Sequence, residues 1–195
     1  GCGKTTLLNI LAGLTGVECG RVMTTPEVAY LFQEPRLVPW LTVRENLCLV
    51  LRDKLPGKSM NERVDQYLTA LGLEAYQDYY PAQLSGGFRQ RVALARAFSY
   101  PARLLLMDEP FKSLDLKTRF RLIADFLELW RQEPRTVIAV THDVKEAVLL
   151  GEKLVVLSDK PTRVLKELEV EPAREERSES QMGVIEQELW ELLLQ

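Results

Sequence analysis

The sequence lacks the features that mark membrane-spanning, disulfide-rich and nucleic-acid-coating proteins. Its longest apolar runs are VAYLF (28–32) and LCLVL (47–51), far shorter than the roughly 20 residues of a bilayer-spanning helix. It has three cysteines, an odd number without a C-x-x-C pair, which favours a reduced, cytosolic setting. Its net charge of -3 argues against a protein whose main task is to coat nucleic acid.

What the sequence does contain is enough for one well-cored domain: 195 residues, 46% of them hydrophobic and 27% charged. The runs RLLLMDEP (103–110) and TVIAVTHD (136–143) are continuously apolar and end in polar residues, which predicts strands buried on both faces of a parallel sheet. Between them a crossover helix is predicted by apolar residues at 4-3-4-3 spacing, namely Leu116, Phe120, Ile123, Leu127 and Trp130. The strand–helix–strand order predicts a right-handed α/β unit.

Residues 42–100 are predicted to be helical throughout. Two capping boxes, Thr42 with Glu45 and Ser59 with Glu62, predict helix starts. The pair Pro56-Gly57 is expected to separate the two helices. The second helix carries one apolar face and is stopped by a glycine, the residues being Met60, Val64, Leu68, Leu71 and Gly72.

Shorter elements are predicted on both sides of these segments. GRVMTT (20–25) and EVAYLFQ (27–33) predict short strands on either side of Pro26. EKLVVLSDKPTRVLKELEV (152–170) predicts a strand pair that turns at residues 159–161. The tail is acidic and polar from Pro172 to Gln181, and a last helix is predicted with one apolar face formed by Met182, Ile185, Leu189 and Leu192.

The opening stretch GCGKTT (1–6) ends like a phosphate-binding loop. The full pattern is G-x-x-x-x-G-K-[ST] between a strand and a helix. Gly3, Lys4 and Thr5 match its end, so its first glycine and the feeding strand would precede residue 1. Either the match is accidental or the chain is a fragment of a longer protein. If the match is real, loop amides hold phosphate oxygens, Lys4 reaches the β- and γ-phosphates, and the Thr5 hydroxyl binds Mg²⁺.

The stretch LSGGFRQR (84–91) is the most specific signal in the sequence. Each of two consecutive glycines destabilises a helix interior by roughly 1 kcal/mol relative to alanine. At a helix N-terminus they are tolerated, because bare amides and the Ser85 hydroxyl can hold an anion there. A plain serine cap would explain Ser85 but not the pair Gly86-Gly87.

Polar residues at predicted strand ends are the other candidates. Asp108 ends a buried strand, where a carboxylate suits a metal link, and Glu109 could polarise a water for attack on phosphorus. Both could equally close the strand in a solvated turn. His142, the one histidine, and Gln33 also follow predicted strands; each is uninformative alone and suggestive at that edge of a sheet.

Taken in order, these stretches resemble an ABC-type ATP-binding domain from residue 1 to about 168. The end of a Walker A loop (GCGKTT) precedes a Q-loop glutamine (Gln33), the signature LSGG (84–87) and a Walker B strand with its glutamate (LLLMDEP). A D-loop (113–115) and an H-loop histidine (His142) complete the set. LFQEPRLVPWLTVRENL and THDVKEAVLLGEKLVVLS look like the ATPase subunits of nitrate, sulfonate and taurine importers. The loop is therefore taken as real, in a chain that lacks the first strands and the aromatic residue that stacks on adenine.

The resemblance implies a role for each matching residue. Glu109 would be the general base, His142 would contact the γ-phosphate, and Gln33 would sense the γ-phosphate or the metal. Mg²⁺ would be bound by Thr5, Gln33 and Asp108. ATP would be bound by the loop residues Gly1, Cys2, Gly3, Lys4, Thr5 and Thr6. The opposite subunit's nucleotide would be served by Ser85, Gly86 and Gly87, with Asp115 lining the interface.

The resemblance also implies a fold and an organisation. The expected fold is an α/β P-loop NTPase with a mainly parallel central sheet, an inserted α-helical subdomain and its first strands missing. Residues 1–41 and 101–170 would form the ATPase core, residues 42–100 the helical subdomain with the signature, and residues 171–195 an acidic helical tail. Lys112-Ser113 and Phe88 depart from the family's commoner residues without removing a chemical group that the mechanism needs.

The implied protein is an ATP-hydrolysing importer subunit on the cytoplasmic face of the cell membrane. Two copies would sandwich two ATP molecules head to tail and dock on permease subunits. A periplasmic or surface solute-binding protein would be an indirect partner. No nucleic-acid partner is expected. A chain without its first strands is expected to bind ATP weakly, although its parent is active.

One alternative is a non-transport ABC ATPase, which the 85 − 33 = 52 positions from Gln33 to Ser85 disfavour. The other is an inactive regulatory domain, which the presence of both Glu109 and His142 disfavours.

Overall fold

The computed structural model describes residues 3–170 and 178–193. The chain divides into two compact units: one comprises residues 8–139, and the other combines residues 1–7 with 140–195. The helices, in chain order, are α1 (Lys4–Leu11), α2 (Val43–Leu49), α3 (Gly57–Ala70), α4 (Gly86–Ser99), α5 (Leu116–Gln132), α6 (Val144–Leu150) and α7 (Glu179–Leu193). The strands are β1 (Val28–Leu31), β2 (Leu104–Asp108), β3 (Thr136–Val140), β4 (Lys153–Leu157) and β5 (Val164–Glu169).

The larger unit is built on a three-stranded sheet in the order β1-β2-β3. β1 and β2 run parallel, with Val28 opposite Leu104 and Leu31 opposite Met107, so the residues that follow these two strands lie at the same edge. All of β2 is buried, which confirms the prediction for a strand covered on both faces. The prediction that β3 is also buried on both faces is wrong, because Thr136 and Ala139 are exposed. In the order β1-β2-β3 this strand comes last.

The predicted crossover helix is confirmed as α5. Of the five apolar residues that predicted it, Ile123 is buried, whereas Leu116 and Phe120 are exposed. The other buried residues of the helix are Leu122, Phe126 and Leu129. The Phe126 ring meets Phe98 of α4 edge-on, with ring centroids 5.8 Å apart, so this face of α5 packs on α4.

Residues 20–25, all of them described, form no strand, so the prediction for GRVMTT is wrong. Gly20 adopts φ +93°, a conformation typical of turns rather than strands. The side chains of Val22 and Met23 are exposed. A strand needs a paired neighbour and a covered face, and this segment has neither among the described residues, whereas EVAYLFQ supplies β1.

All regular elements between residues 42 and 100 are helical, as predicted. The capping box of α2 is confirmed: the Glu45 amide donates to the Thr42 hydroxyl at 3.2 Å and the Thr42 amide donates to the Glu45 carboxylate at 2.8 Å. The predicted box at Ser59 is wrong, because α3 begins earlier with Pro56 as its N-cap. Proline lacks only an amide that a helix start does not use.

Two short 3₁₀ turns, at residues 74–76 and 81–83, lead from α3 to the start of α4. The segment between the two turns is tied to α2, since the amide of Val43 donates to the Tyr79 carbonyl at 2.9 Å. The ring of Tyr76, in the first turn, packs on Phe88 of α4, with centroids 4.5 Å apart. The connection from α3 to α4 therefore contacts both α2 and α4.

A cluster of ion pairs and hydrogen bonds joins α3 to the ends of α4 and α5. The Glu133 carboxylate lies 2.8 Å from a guanidinium nitrogen of Arg63 and 2.8 Å from one of Arg135. The Tyr67 hydroxyl also donates to Glu133, and Arg63 donates to the Ser99 carbonyl. Burial opposes the Glu133 charge, yet the hydrogen bonds from Tyr67 and Arg63 and the charge of Arg135 lower its pKa.

The second unit contains a β-hairpin and two helices around an apolar cluster. β4 and β5 pair antiparallel, with Lys153 opposite Glu169, and the Ser158 amide donates to the Arg163 carbonyl at 2.9 Å, so the predicted strand pair is confirmed. The predicted tail helix is α7. Its apolar face packs on the cluster of Val144, Val148, Leu154, Val156, Val170 and Leu189, with Met182, Ile185 and Leu192 around it. Residues 171–177 lie outside the described residues.

Candidate functional site

The signature stretch forms the N-terminus of α4, as the glycine pair predicts. Ser85 is the N-cap, and its hydroxyl accepts the Phe88 amide at 3.3 Å. The preceding carbonyl, that of Leu84, accepts a hydrogen bond from the Arg89 guanidinium at 2.9 Å. Ser85 and Gly86 are exposed. The first turn of a helix therefore presents its amide end at the surface, where the helix dipole favours an anion.

Gly87 marks a close approach between α4 and α5. A β-carbon at Gly87 would lie 2.6 Å from the methyl group of Thr118, whereas one at Gly86 would meet nothing nearer than an Arg89 nitrogen at 4.0 Å. Packing therefore requires a glycine at position 87, whereas at position 86 there is room for a side chain.

This contact predicts different outcomes for the two glycines. Gly87→Ala is expected to lower the free energy of unfolding by about 1–2 kcal/mol, because an extra methyl group overpacks the joint. Gly86→Ala serves as the control and should change stability by no more than about 0.5 kcal/mol. Chemical denaturation measures both. Adding Thr118→Ser, which removes the clashing methyl, should recover much of the loss in Gly87→Ala; no recovery would contradict the close contact.

The N-terminus of α5 faces the same cavity, of about 370 Å³, as the N-terminus of α4. Asp115 caps α5, its carboxylate accepting the Thr118 amide at 3.1 Å. Hydrogen bonds from Thr118 lower the pKa of Asp115 and so favour its ionised form. The cavity is lined by signature residues on one side and by residues of the predicted D-loop on the other, among them Ser85, Gly87, Ser113 and Asp115.

The residues after β1 and β2 meet at one edge of the sheet. Gln33 follows β1 and is exposed, and Asp108 ends β2 with 8% of its surface exposed. Gln90 of α4 lies between the two turns, its amide donating to the Pro110 carbonyl at 2.7 Å and to the Phe32 carbonyl at 3.4 Å. The backbone next to Gln33 and the backbone next to Glu109 are therefore both attached to the signature helix.

Glu109 has an unusual backbone conformation, with φ +44°. For a residue other than glycine this left-handed conformation costs of the order of 1–2 kcal/mol, and such residues cluster at functional sites. The side chain is mostly buried, with 15% exposed, and one carboxylate oxygen lies 2.6 Å from the Lys112 ammonium. The Lys112 amide also donates to the Glu109 carbonyl at 3.3 Å.

The predicted loop residues Gly3, Lys4, Thr5 and Thr6 belong to the second unit. Gly3 has φ +94°, which suits glycine at the turn before α1. Its carbonyl accepts the Leu7 amide at 3.0 Å. Lys4 is half-buried, whereas Thr5 and Thr6 are exposed. Gly1 and Cys2, also predicted to bind nucleotide, lie outside the described residues.

His142, likewise in the second unit, is exposed directly after β3. The turn around it is fixed by hydrogen bonds: the Asp143 amide donates to the Thr141 hydroxyl at 3.0 Å, and the Glu146 amide donates to the Asp143 carboxylate at 3.2 Å. The Thr141 hydroxyl donates in turn to the buried Glu146 carboxylate. The histidine is thus presented by a rigid strand-to-helix turn.

Across residues 3–170 and 178–193, no three His, Cys, Asp or Glu side chains are grouped closely enough to hold a metal ion. None of the described helices combines the length and apolar character needed to cross a membrane.

The sequence patterns assigned no role to Gln90, and they marked Lys112 only as a departure from the family's commoner residues. Gln90 occupies the apolar stripe of α4, four residues before Leu94, and is 3% exposed. A polar residue on such a stripe is a usable signal, because a buried amide needs partners. The sequence could not show which carbonyls it binds.

Comparisons with known proteins agree with these motifs. A profile of the ABC transporter family matches residues 1–112. The aliphatic sulfonates import ATP-binding protein SsuB of Bacillus subtilis (strain 168) is 44% identical over 174 residues, covering 85% of this chain and 68% of that protein. SsuB of Mycobacterium avium (strain 104) is 45% identical over 175 residues, covering 89% of this chain and 69% of that protein.

A solved structure with the same fold is the ATP-binding cassette MJ0796, a dimer in a post-hydrolysis state bound to ADP and Pi. It matches with a TM-score of 0.73 and 30% identity, covering 88% of this chain and 82% of that one. Across these and similar curated relatives, the matched segment spans 65% to 70% of their length.

Proposed function

This chain belongs to the ABC transporter family of ATP-binding and ATP-hydrolysing proteins, and from that premise we propose that it powers an importer of a small solute. The observation that carries the proposal is the pair of helix N-termini that face one cavity, one capped by Ser85 in the signature and one by Asp115. Exposed amides beside the glycine pair suit the phosphates of a nucleotide. In the dimer that we propose, that nucleotide is held by the loop of a second copy.

The proposed reaction is hydrolysis of the γ-phosphoryl group. Water attacks the γ-phosphorus, the bond from that phosphorus to the bridging oxygen breaks, and ADP and phosphate leave. Glu109 accepts the proton of the attacking water. Lys4 and the loop amides bind the β- and γ-phosphates, and His142 contacts the γ-phosphate.

The side chains at the sheet edge support a role for Mg²⁺ in the proposed reaction. Asp108 offers a buried carboxylate at the end of β2, and Gln33 offers an amide oxygen after the parallel neighbour β1. Both are the oxygen ligands that this ion prefers; the family resemblance, rather than the geometry, adds the Thr5 hydroxyl. The ion would supply charge neutralisation on the phosphates, while Asp108 and Gln33 orient it.

The domain assignment follows from the same family. Residues 1–41 and 101–170 form the ATPase core, residues 42–100 form a helical subdomain that docks on the permease, and residues 171–195 form a tail. Among the elements between Gln33 and Ser85, the longest helix is α3 with 14 residues. This length supports a compact subdomain over the long coiled coil of DNA-repair relatives. The chain would act at the cytoplasmic face of the membrane, and a solute-binding protein would act on the far side.

The solute class is supported by the relatives rather than by the site. The SsuB proteins are named for the import of aliphatic sulfonates, and the segment around Gln33 resembles nitrate, sulfonate and taurine systems. A small oxyanion or sulfonate is therefore the proposed cargo.

A shared site between two copies can be tested by mixing two inactive variants. Lys4→Ala removes the phosphate-binding amine from one face, and Ser85→Arg blocks the signature of the other. Each variant alone should release no phosphate from ATP. A 1:1 mixture should recover activity, up to about a quarter of the native value for independent sites, because half of the dimers then carry one intact site.

Two controls make this experiment decisive. The double variant Lys4→Ala/Ser85→Arg, mixed with Lys4→Ala, should stay inactive because no intact site can form. The binding of ATP to Ser85→Arg, measured by calorimetry, checks that this variant is folded. A mixture of the two single variants that stays inactive, with both folded, would contradict a site assembled from two chains.

A further inference from the structure

Lys112 contacts the proposed general base and has no part in the proposed mechanism. Its ammonium nitrogen lies 2.6 Å from a carboxylate oxygen of Glu109. The two residues belong to one turn, since the Lys112 amide donates to the Glu109 carbonyl at 3.3 Å.

We propose that Lys112 is a positioning residue that restrains Glu109 and thereby slows ATP hydrolysis. This inference rests on the proposed function of Glu109 as the base. An ammonium at this distance holds the carboxylate by its charge, so the carboxylate must leave the ion pair before it can take a proton from the attacking water. The side chain of Lys112 is 45% exposed and that of Glu109 is 15% exposed, so the cation reaches a largely buried base from the solvent side.

The sign of the effect follows from the ion pair itself. A carboxylate paired with an ammonium 2.6 Å away is held in one position, and turning it toward an attacking water costs the interaction of the pair. The ion pair is therefore expected to lower the rate of the chemical step.

The test is the steady-state rate of phosphate release by the native protein that contains this sequence. Lys112→Met should raise kcat about two- to five-fold, the range expected from loss of a partly exposed ion pair. KM for ATP should not change, because Lys112 contacts Glu109 and not the phosphates. Lys112→Arg keeps the charge and should stay near the native rate. Lys58→Met is the control, because Lys58 is a 90% exposed lysine on α3.

A second background separates this inference from the proposed function. In Glu109→Gln the base is absent, so adding Lys112→Met should give no acceleration. An unchanged or lower kcat in Lys112→Met, or an equal acceleration in both backgrounds, overturns the restraint by Lys112. If Glu109→Gln itself turned over ATP at the native rate, the proposed role of Glu109 would fall, and the restraint with it. Lys112→Gln repeats the measurement with a polar side chain, which excludes a gain caused by the apolar methionine.

Discussion

In the native protein that contains this sequence, replacing Glu109 by Gln should slow ATP hydrolysis by about 10²–10⁴-fold while leaving ATP binding intact. The amide of glutamine has nearly the shape of the carboxylate, but it cannot take a proton from the attacking water at neutral pH. ATP binding should persist, because the phosphate contacts are assigned to the loop and to the signature rather than to Glu109. Phosphate release measures the first effect, and titration calorimetry with ATP measures the second.

The left-handed backbone at Glu109 bears on how this variant is interpreted. At φ +44° glutamate and glutamine are strained alike, since both carry the same β-carbon. A change of fold is therefore not expected from the substitution. Glu62→Gln is a matched control, because that glutamate is an exposed residue of α3, and its turnover should equal that of the native protein. Near-native turnover in Glu109→Gln would remove Glu109 from the role of base.

The strained turn and the buried amide of Gln90 together explain how Glu109 is presented. Gln90 holds the Pro110 carbonyl from the signature helix at 2.7 Å, directly after the strained residue. Strain persists where the surroundings over-determine a conformation, and Gln90 is one such support. The base would thus be held by the same helix whose N-terminus is proposed to face the nucleotide of the partner.

Sequence patterns predicted the elements whose signals are local. The capping box of Thr42 and Glu45 depends on residues three positions apart, and the structure has it. The burial of β2 could be predicted because five consecutive positions are covered whichever way the strand faces. The glycine pair of the signature lies at a helix start because the residue directly before it, Ser85, caps the helix, and this signal is also local in sequence.

The predictions that failed needed information beyond the pattern itself. Ser59 has the same pattern as Thr42, but α3 begins before it, with Pro56 as the N-cap. On α5, Leu116 and Phe120 have helical spacing and yet are exposed, because the face that packs on Phe98 of α4 carries Phe126. In the candidate site, the bonds of Gln90 to Phe32 and Pro110 span 58 and 20 positions, which no local pattern reveals. The roles of the individual site residues stay predictions.

Glu133→Gln is expected to lower the free energy of unfolding by about 1.5–3 kcal/mol, the usual size of a hydrogen bond to a charged group. The carboxylate pairs with Arg63 and Arg135 and accepts from the Tyr67 hydroxyl. The side chain of Arg135 is only 2% exposed, so losing its counter-charge leaves a buried cation with its bonds to the Phe98 and Tyr100 carbonyls alone among those described here. Glu133 is 38% exposed, which keeps the expected loss below that of a fully buried pair.

The pKa of Glu133 fixes the pH dependence of this contribution. The pKa is lowered from the ordinary value of 4.5, so the folded state holds the ionised form more tightly than the unfolded state does. The stabilisation is fully present above about pH 4.5 and is lost as the pH falls through the lower pKa of the folded state. The difference in stability between native protein and Glu133→Gln should therefore shrink in acid.

Denaturant unfolding at pH 7 and at about pH 3.5 measures both the size and the pH dependence of the Glu133 contribution. The matched control is Glu128→Gln on the same helix, where the carboxylate is 61% exposed and 3.7 Å from Arg131. Exposed ion pairs contribute about 0–1 kcal/mol, so this variant should unfold close to the native protein at either pH. The two variants differ in the arginine that loses its partner: Arg131 is half-exposed, whereas Arg135 is buried. Equal losses in the two variants would mean that the cluster does not hold these helices together.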